Sequence, residues 1–380
     1  MPEVKGAIAP YEAVSHADKY NAYNMLRGHT LSGFIGGKLR SNGYYVCELE
    51  EKWAARFDVK HAVACNSATS GLLAAAFAVG LSTFNRFAVS PYTMSATVAA
   101  PMFTGSRPHF IDVEDATFCM NPEHAADIDF NEDRCQTLII TNLFGHPSAV
   151  QDLMIQLPNY ITVIEDNSQS PFAMERGEYA GTFGDIGVFS LNVHKHLQCG
   201  EGGICVTDND ELAEKIRRFV NHGEMAGKAI GLNLRLTEVS AAIALSQLQR
   251  ADELIGGRIE QAEAIIEAIG DIPGIRGPAV REGCKHVYYA IPFLMKNETS
   301  GARAEFTSRL FMEGVPVSQG YVAPLYRLPA FSKYARECPV AEDLHDRRLF
   351  LFENCAWSPT REQIKQIGNA FKKVAEEMKL

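Results

Sequence analysis

Residues 185–203 read DIGVFSLNVHKHLQCGEGG, which joins an apolar run to a polar turn and a glycine-rich end. The run DIGVFS is typical of a buried strand, and similar short runs recur along the first two thirds of the chain: HAVAC, RFAVS, PHFIDV, TLIITNLF, ITVIED and GICVTD. Stretches with helical character, such as SGLLAAAFAVG and NDELAEKIRRFVNHG, lie between them. This alternation predicts an α/β fold, with a mostly parallel sheet flanked by helices.

A different pattern begins at Thr237. Apolar residues recur there at steps of three and four, at Leu248, Ala251, Ile255, Ile259, Ala262, Ile266 and Ile269. The spacing predicts one long amphipathic helix, with Thr237 as its N-cap and Gly270 at its end. We place a domain boundary inside this helix, giving a large domain over 1–250 and a small C-terminal α+β domain over 251–380.

The charge and composition narrow the classes of function. A formal net charge of -10 argues against general binding to nucleic acid or to an anionic membrane, because both need a basic surface. The start MPEVKGAIAP lacks the apolar core of a secretory signal, so we expect a cytoplasmic protein. The nine cysteines form no CxxC pair, which predicts reduced thiols and no metal site.

Polar side chains follow three of the predicted strands. Asp166 and Gln169 end the strand in VIEDNSQSPF, and Ser190 and Lys195 follow the strand in residues 185–203. The carboxyl ends of neighbouring parallel strands form the ligand-binding edge of such a sheet. A carboxylate, a hydroxyl and a lysine are what pyridoxal phosphate requires, for its pyridine nitrogen, its phosphate and its aldehyde respectively.

The segment HAVACNSATSGLLAAA supplies a further part of this predicted site. It places Ser67, Ala68 and Thr69 where a strand turns into a helix, and helix N-termini bind phosphate. Each of these residues taken alone has a commoner structural role, as a cap, a turn residue or a solvated surface group. Their combination in this order favours a cofactor site.

Several ordered motifs together resemble one known family. LSGFIGG and ELEEKWAARF near the start, the GLNLRLTEVSAAIALSQL helix and the PLYRLPAF segment are similar to sugar aminotransferases of the DegT/DnrJ/EryC1/StrS type. The resemblance spans nearly the whole chain. It implies the fold type I architecture of pyridoxal phosphate enzymes, with a large cofactor-binding domain and a small C-terminal domain.

The resemblance also implies a role for each candidate residue. Lys195 forms the Schiff base, Asp166 pairs with the pyridine nitrogen, and Gln169 lies near the ring oxygen. The groups expected at the phosphate are Ser67, Ala68, Thr69 and Ser190, joined by Asn233 from the neighbouring subunit. A homodimer with shared active sites follows from that last assignment.

The sequence departs from the family pattern at two places. Met94 stands where relatives have an aromatic residue stacked on the ring, so either Tyr92 compensates or Met94 covers the ring with its sulfur. The loop SQGYVAPLYRLPAF lacks the histidine common among nucleotide-sugar enzymes. The resemblance implies glutamate as the amino donor in a ping-pong reaction. It leaves the acceptor open between a nucleotide-linked keto sugar and a keto cyclitol.

Two other functions stay open at this point. A related branch of the family performs dehydration and has a histidine in place of the lysine; counting back from Gly200 puts Lys195 at that position, with His194 and His196 beside it, which favours transamination. A non-catalytic regulator that binds pyridoxal phosphate would need a nucleic-acid-binding module, and no basic segment remains for one.

Overall fold

A computed structural model describes residues 2–28, 31–32, 43–128, 130, 134–223, 230–296 and 301–380. Most of the LSGFIGG motif lies outside these residues. The described strands, in chain order, are β1 (Ala9–Pro10), β2 (His61–Cys65), β3 (Arg86–Val89), β4 (Arg107–Phe110), β5 (Cys135–Thr141), β6 (Thr162–Asp166), β7 (Met174–Glu175), β8 (Glu178–Tyr179), β9 (Ile186–Ser190), β10 (Gly203–Thr207), β11 (Ile275–Arg276), β12 (Cys284–Lys285), β13 (Ile291–Met295), β14 (Val317–Gln319), β15 (Leu349–Phe352) and β16 (Trp357–Ser358).

The helices are named in the same way. They are α1 (His16–Gly28), α2 (Tyr44–Phe57), α3 (Ala68–Ala78), α4 (Ser95–Met102), α5 (Pro122–Ala126), α6 (Val150–Gln156), α7 (Asp210–Val220), α8 (Glu238–Gln249), α9 (Ala251–Ile269), α10 (Ala302–Met312), α11 (Pro339–Asp343) and α12 (Arg361–Met378). None of the described helices is both long enough and apolar enough to cross a lipid bilayer.

The central sheet has seven strands in the order β2-β10-β9-β6-β5-β3-β4. The pairs β9-β6, β6-β5, β5-β3 and β3-β4 are parallel, and β10 alone runs against its two neighbours. Every apolar run expected in the first two thirds of the chain supplies one strand of this sheet. The predicted mostly parallel α/β sheet is confirmed.

Helices cover both faces of the sheet because neighbouring strand residues point to opposite sides. Val188 packs on one face with residues of α3, α4 and α7, whereas the next residue, Phe189, packs on the other face with Trp53 of α2 and Ala241 of α8. The strands are therefore buried on both sides, as their continuous apolar runs predict.

A second, antiparallel sheet follows in the C-terminal third, in the order β11-β13-β15-β14. Phe293, Phe306, Phe350 and Phe371 join this sheet to α10 and α12 in one buried cluster. The structure agrees here with the expected α+β arrangement of sheet and helices.

The predicted single helix from Thr237 to Gly270 is wrong in one respect, because the structure has two helices, α8 and α9, that meet at Arg250. Arg250 has φ -108° and ψ 16°, and its guanidinium bonds the buried Asp18 carboxylate at 3.0 Å. The apolar period continues across this break, so sequence spacing alone does not reveal it. Thr237 caps α8 as predicted, and the division between 1–250 and 251–380 remains a proposal that coincides with the break.

Candidate active site

The strand register brings the predicted residues to one edge of the central sheet. Gly203, at the start of β10, pairs with Cys65 on one side and with Ser190 on the other. Asp166, at the end of β6, pairs with Val188 of β9. The ends of β2, β9 and β6 therefore lie side by side at the edge where ligands bind.

The turn after β2 leaves backbone donors available at the start of α3. The Ser67 side chain caps this helix by accepting from Ser70 N at 3.1 Å, and Gly71 N donates to Ser67 O at 3.0 Å. The amides of Ala68 and Thr69, in the first turn, have no partner within the helix. Because the helix dipole adds to them, these two N–H groups form an anion-binding position.

Gly203 has a specific reason to be glycine. A Cβ there would lie 2.5 Å from the carbonyl carbon of Ser67 and 2.6 Å from Ala68 N. Strand β10 can thus approach the start of α3 only because residue 203 has no side chain. Ser190, buried at the opposite side of Gly203, adds a hydroxyl that accepts weakly from Asn192 N at 3.3 Å.

Asn233 lies on a segment that passes beside this turn. Asn66 N donates to Leu234 O at 2.7 Å, and Asn233 itself forms an antiparallel bridge with Asn221. The Asn233 side chain is exposed, and it bonds neither Ser190 nor the start of α3 in the described part of the chain. Its predicted contact with the cofactor of a neighbouring subunit remains a proposal.

The Asp166 carboxylate is 4% exposed and is held by two donors. Its Oδ2 accepts from the Thr97 hydroxyl at 2.7 Å, and its Oδ1 accepts from Ser168 N at 3.1 Å. Thr97 lies in the first turn of α4, a position that sequence analysis missed. A buried carboxylate with directed donors has a fixed orientation.

Gln169 links the strand edge to the C-terminal part of the chain. Its Oε1 accepts from Phe144 N at 2.9 Å, and its Nε2 donates to the Tyr321 hydroxyl at 2.8 Å. Phe144 has a left-handed backbone, with φ 58°, just after β5. These two hydrogen bonds therefore fix the side chain of Gln169, which is close to Asp166 in the sequence, in the same crevice.

Lys195 has the properties of a reactive amine. Its Nζ lies 4.5 Å from the centre of the Tyr289 ring. Burial lowers the pKa of Lys195 to about 8, although attraction by the Asp166 and Cys355 groups acts in the opposite direction. The Asp166 carboxylate is thus one of the groups whose charge acts on the Lys195 amine.

The histidines beside Lys195 differ from each other. His196 is fully buried, its Nε2 lies 2.8 Å from Val287 O, and burial lowers its pKa to about 4, so its ring is neutral near neutral pH. His194 is exposed and faces a cavity. Cys199 is buried, and its thiol lies 3.4 Å from Glu201 O.

The structure distinguishes the two candidates for covering the cofactor ring. Met94 directly precedes α4 and is 53% exposed. Tyr92 is fully buried and packs edge-on against the Tyr321 ring, with centroids 6.1 Å apart. Because Met94 is exposed and Tyr92 is not, these positions favour Met94 as the side chain that covers the ring, which stays a prediction.

A cavity of about 220 Å³ opens beside Lys195. Its lining comes from both sheets and includes Phe144, His194, Tyr289, Tyr321, Glu353 and Cys355. Sequence analysis missed Tyr289, Tyr321 and Glu353, which lie around the C-terminal sheet far along the chain from Lys195. The YY pair in HVYYAIPF and the glutamate directly after β15 were visible in the sequence, but only the fold brings them to the lysine.

Comparison with known proteins identifies the family. The family model described as "DegT/DnrJ/EryC1/StrS aminotransferase family" matches residues 30–372. The chain belongs to this aminotransferase family. Membership confirms the predicted pyridoxal phosphate cofactor and the transaminase class of activity.

Two curated relatives and one solved structure illustrate the similarity. The chain is 29% identical over 323 residues to GDP-perosamine synthase of Escherichia coli O157:H7, covering 82% of this chain and 86% of that protein. It is 29% identical over 351 residues to a UDP-N-acetyl-3-dehydro-alpha-D-glucosamine 3-aminotransferase of Acidithiobacillus ferrooxidans, covering 89% and 92%. An aminotransferase structure from Psychrobacter cryohalolentis shares the fold with a TM-score of 0.89 at 22% identity, over 98% of this chain and 100% of that one.

The residues of this site fit the family cofactor. Pyridoxal phosphate requires an amine of lowered pKa, an anion for the ring nitrogen and several donors for its phosphate. The site offers Lys195 with its lowered pKa, the buried Asp166 carboxylate, and the free amides at the start of α3 that Gly203 leaves accessible.

Proposed function

We propose that this enzyme transfers the amino group of glutamate to a keto sugar, either nucleotide-linked or cyclitol-like, with Lys195 as the catalytic amine. The observation that supports this most directly is the pairing of Asp166 with Val188 of β9, the strand that leads to Lys195, together with a Lys195 amine whose pKa burial lowers to about 8. The two named relatives are a perosamine synthase and a 3-aminotransferase that acts on a nucleotide-linked keto sugar, which supports the same class of acceptor.

Each residue of the strand edge has a distinct part in holding the cofactor. The Ala68 and Thr69 amides and the Ser67 and Ser190 hydroxyls bind the phosphate, and Asp166 keeps the ring nitrogen protonated. Gln169 lies near the ring oxygen, and Met94 covers the ring face. When bound, pyridoxal phosphate supplies a conjugated cationic ring that withdraws electrons from the substrate carbon.

Lys195 moves the proton. In the donor half-reaction its neutral Nζ would accept the proton from the α-carbon of glutamate and, as an ammonium group, would return it within the same site. The lowered pKa leaves about a tenth of this amine neutral at pH 7, compared with less than about a thousandth for an ordinary lysine. The amine runs the same transfer in reverse once the keto acceptor has replaced the keto acid.

The acceptor occupies the cavity beside Lys195. Tyr289 contacts the lysine and also lines the cavity, so a substrate carbon at that end is within reach of the amine. Phenol, imidazole and carboxylate groups from Tyr289, Tyr321, His194 and Glu353 are partners for the hydroxyls of a sugar or cyclitol ring.

The first experiment tests the donor half-reaction. Purified enzyme with bound pyridoxal phosphate is mixed with glutamate alone, and absorbance and released 2-oxoglutarate are followed. We expect the cofactor absorption to bleach, with one 2-oxoglutarate formed per active site, since no acceptor is present. An unchanged spectrum at saturating glutamate would exclude glutamate as donor, and a screen of other amino acids would then identify the donor.

The second experiment assigns the lysine. Lys195→Ala should lower turnover by at least about a thousandfold, because the proton transfer loses its general acid-base group. The matched control is Lys296→Ala, which removes an exposed lysine at the end of β13 and should keep full activity. Comparable turnover in the two variants would show that Lys195 is not the catalytic amine.

The proposal includes a homodimer in which each subunit completes the site of the other. The Asn233 side chain is exposed, and no hydrogen bond joins it to Ser190 or to the start of α3 among the described residues. Helix α1 also presents an apolar surface to solvent, with Tyr20 63%, Tyr23 56% and Leu26 57% exposed. Aromatic side chains exposed together are typical of protein interfaces.

Mixing two impaired variants at a limiting concentration of pyridoxal phosphate tests the shared site. Asn233→Ala should weaken pyridoxal phosphate binding by about tenfold, because a charge-assisted hydrogen bond to phosphate is lost. Hybrids of Lys195→Ala and Asn233→Ala subunits contain one site in which both residues are intact. Cofactor affinity of wild-type strength at that site after co-refolding supports sharing, whereas a hybrid as impaired as the Asn233→Ala enzyme, or a monomeric enzyme with full activity, would contradict it.

A further inference from the structure

A chain of buried hydroxyls ends at the Asp166 carboxylate. Thr97 Oγ1 donates to Asp166 Oδ2 at 2.7 Å, Thr93 Oγ1 lies 3.0 Å from Thr97 Oγ1, and Thr141 Oγ1 lies 3.2 Å from Thr93 Oγ1. All three threonines are buried, with exposures of 0%, 1% and 6% for Thr97, Thr93 and Thr141. The chain therefore has no competition from bulk water.

The direction of every hydrogen bond in this chain is determined. An ionised carboxylate can only accept, so the single hydroxyl proton of Thr97 is committed to Asp166. The bond between Thr93 and Thr97 must then use the proton of Thr93, and the bond between Thr141 and Thr93 must use the proton of Thr141. Three hydroxyl dipoles thus point the same way, toward the carboxylate.

The fold supplies these threonines from three neighbouring segments. Thr93 lies in the loop after β3, Thr97 in the first turn of α4, and Thr141 at the end of β5. Thr141 is paired in register with Asp166 across the β5-β6 ladder. The two ends of the hydroxyl chain, Thr141 and Asp166, therefore lie on neighbouring strands, and Thr93 and Thr97 connect them outside the sheet.

Aligned hydrogen bonds strengthen one another, and a buried anion depends on them because it has lost its hydration. We propose that Thr97, Thr93 and Thr141 are positioning residues that hold the Asp166 carboxylate oriented for the pyridine nitrogen of the cofactor. This inference rests on the proposed pairing of Asp166 with that nitrogen. It predicts a graded effect, largest at Thr97, smaller at Thr93 and smallest at Thr141.

The test uses valine substitutions, which keep the shape of threonine and remove its hydroxyl. Thr97→Val should raise the dissociation constant of pyridoxal phosphate about tenfold and lower the pKa of the ring nitrogen, read by nitrogen NMR of labelled cofactor bound to the enzyme. Thr93→Val should have about a threefold effect on affinity, and Thr141→Val less than about twofold. Thr97→Ser retains the hydroxyl and should restore both readings nearly to wild type.

The matched control is Thr207→Val, which removes another buried hydroxyl that donates to a backbone carbonyl, Asp185 O, at 2.6 Å and lies outside the site. Its cofactor affinity and ring-nitrogen signal should equal those of wild type. Thermal melting of each apo-variant identifies any that fails to fold, in which case Thr93→Val, one bond further from Asp166, decides the question.

Two results would overturn the proposal. One is a Thr97→Val enzyme with wild-type affinity and ring-nitrogen signal, and the other is an effect of Thr141→Val as large as that of Thr97→Val. In either case a wild-type enzyme that still reacts with glutamate leaves the proposed function intact. A wild-type ring nitrogen that is not protonated would instead contradict the pairing with Asp166 on which this inference rests.

Discussion

The strand-edge wall of the site (Ser67, Asp166 and Ser190) is held differently from its cavity wall (His194, Tyr289 and Glu353). Ser67 caps α3, and Asp166 is buried and bonded to Thr97 and Ser168. In the cavity wall, His194 and Glu353 are exposed, and no hydrogen bond or ion pair fixes either side chain within the described ranges. One wall is preorganised, whereas the other can adapt.

This difference fits the two tasks of an aminotransferase. The cofactor is the same in every turnover, so a rigid wall binds it with little loss of conformational entropy. The cavity must admit an amino acid and then a keto sugar in alternation, which a fixed set of hydrogen bonds would hinder. Loops on a rigid scaffold are where members of one fold change their substrates.

Lys195 lies where the two walls meet, and its titration gives the largest expected effect. Only the neutral amine attacks the aldehyde of pyridoxal phosphate, and burial places its pKa at about 8. The rate at which apo-enzyme combines with the cofactor should therefore rise about tenfold per pH unit up to about pH 8 and then level off. Stopped-flow absorbance between about pH 6 and pH 9 measures this profile, which extends over roughly a hundredfold.

The rate should fall as the pH is lowered, because the pKa of Lys195 is depressed to about 8. Protonated lysine predominates below about pH 8, so lowering the pH removes the reactive form. A rate that still climbs toward 10.5, the ordinary pKa of lysine, would show that the crevice does not perturb this amine. Pyridoxal phosphate reacting with a small model amine under the same conditions provides the control for changes in the cofactor itself.

Gly203→Ala tests the rigidity of the strand-edge wall. The added methyl group would lie 2.5 Å from the Ser67 carbonyl carbon, so β10 or the start of α3 must shift at a cost of about 1–3 kcal/mol. We expect cofactor affinity to fall by about five- to a hundredfold, measured by fluorescence titration. Gly256→Ala in α9, where a Cβ meets no atom within 4 Å, is the matched control and should leave affinity unchanged.

A Gly203→Ala enzyme that binds the cofactor within about twofold of wild type would show that the wall can yield. The strand-edge wall would then not be preorganised. Tyr321→Phe tests the link between Gln169 and the C-terminal part of the chain, because it removes only the hydroxyl that accepts from Gln169 at 2.8 Å.

The strand-edge wall could be predicted from the sequence because its signals are local. Asp166 and Ser190 end apolar strands, and Ser67 stands where a strand meets a helix. The register of a mostly parallel sheet then brings these ends together without further information. The preference for Lys195 over its flanking histidines came from the family resemblance, and the structure adds that His196 is buried and neutral.

The cavity wall and the threonine chain could not be predicted in the same way. Tyr289 and Glu353 depend on how the C-terminal sheet packs against the central one, which no local pattern encodes. Thr93 and Thr97 are ordinary residues of a loop and a helix start, and only their packing against Asp166 distinguishes them. The break at Arg250 was missed for a similar reason, since its partner Asp18 is distant in sequence.

The smallest expected effect tests the charge of the cavity wall. In the proposed donor half-reaction, glutamate would place its side-chain carboxylate in the cavity lined by Glu353. Removing that charge with Glu353→Gln should lower the KM for glutamate by about two- to fivefold at low salt, and the difference should shrink as salt screens the repulsion. Alanine, tested as a donor with an uncharged side chain, should show the same KM in both enzymes.

Glu267→Gln, on the exposed face of α9, is the matched control. An unchanged or higher KM for glutamate in Glu353→Gln would indicate that Glu353 does not face the donor, and the carboxylate would then act only on the hydroxyls of the acceptor.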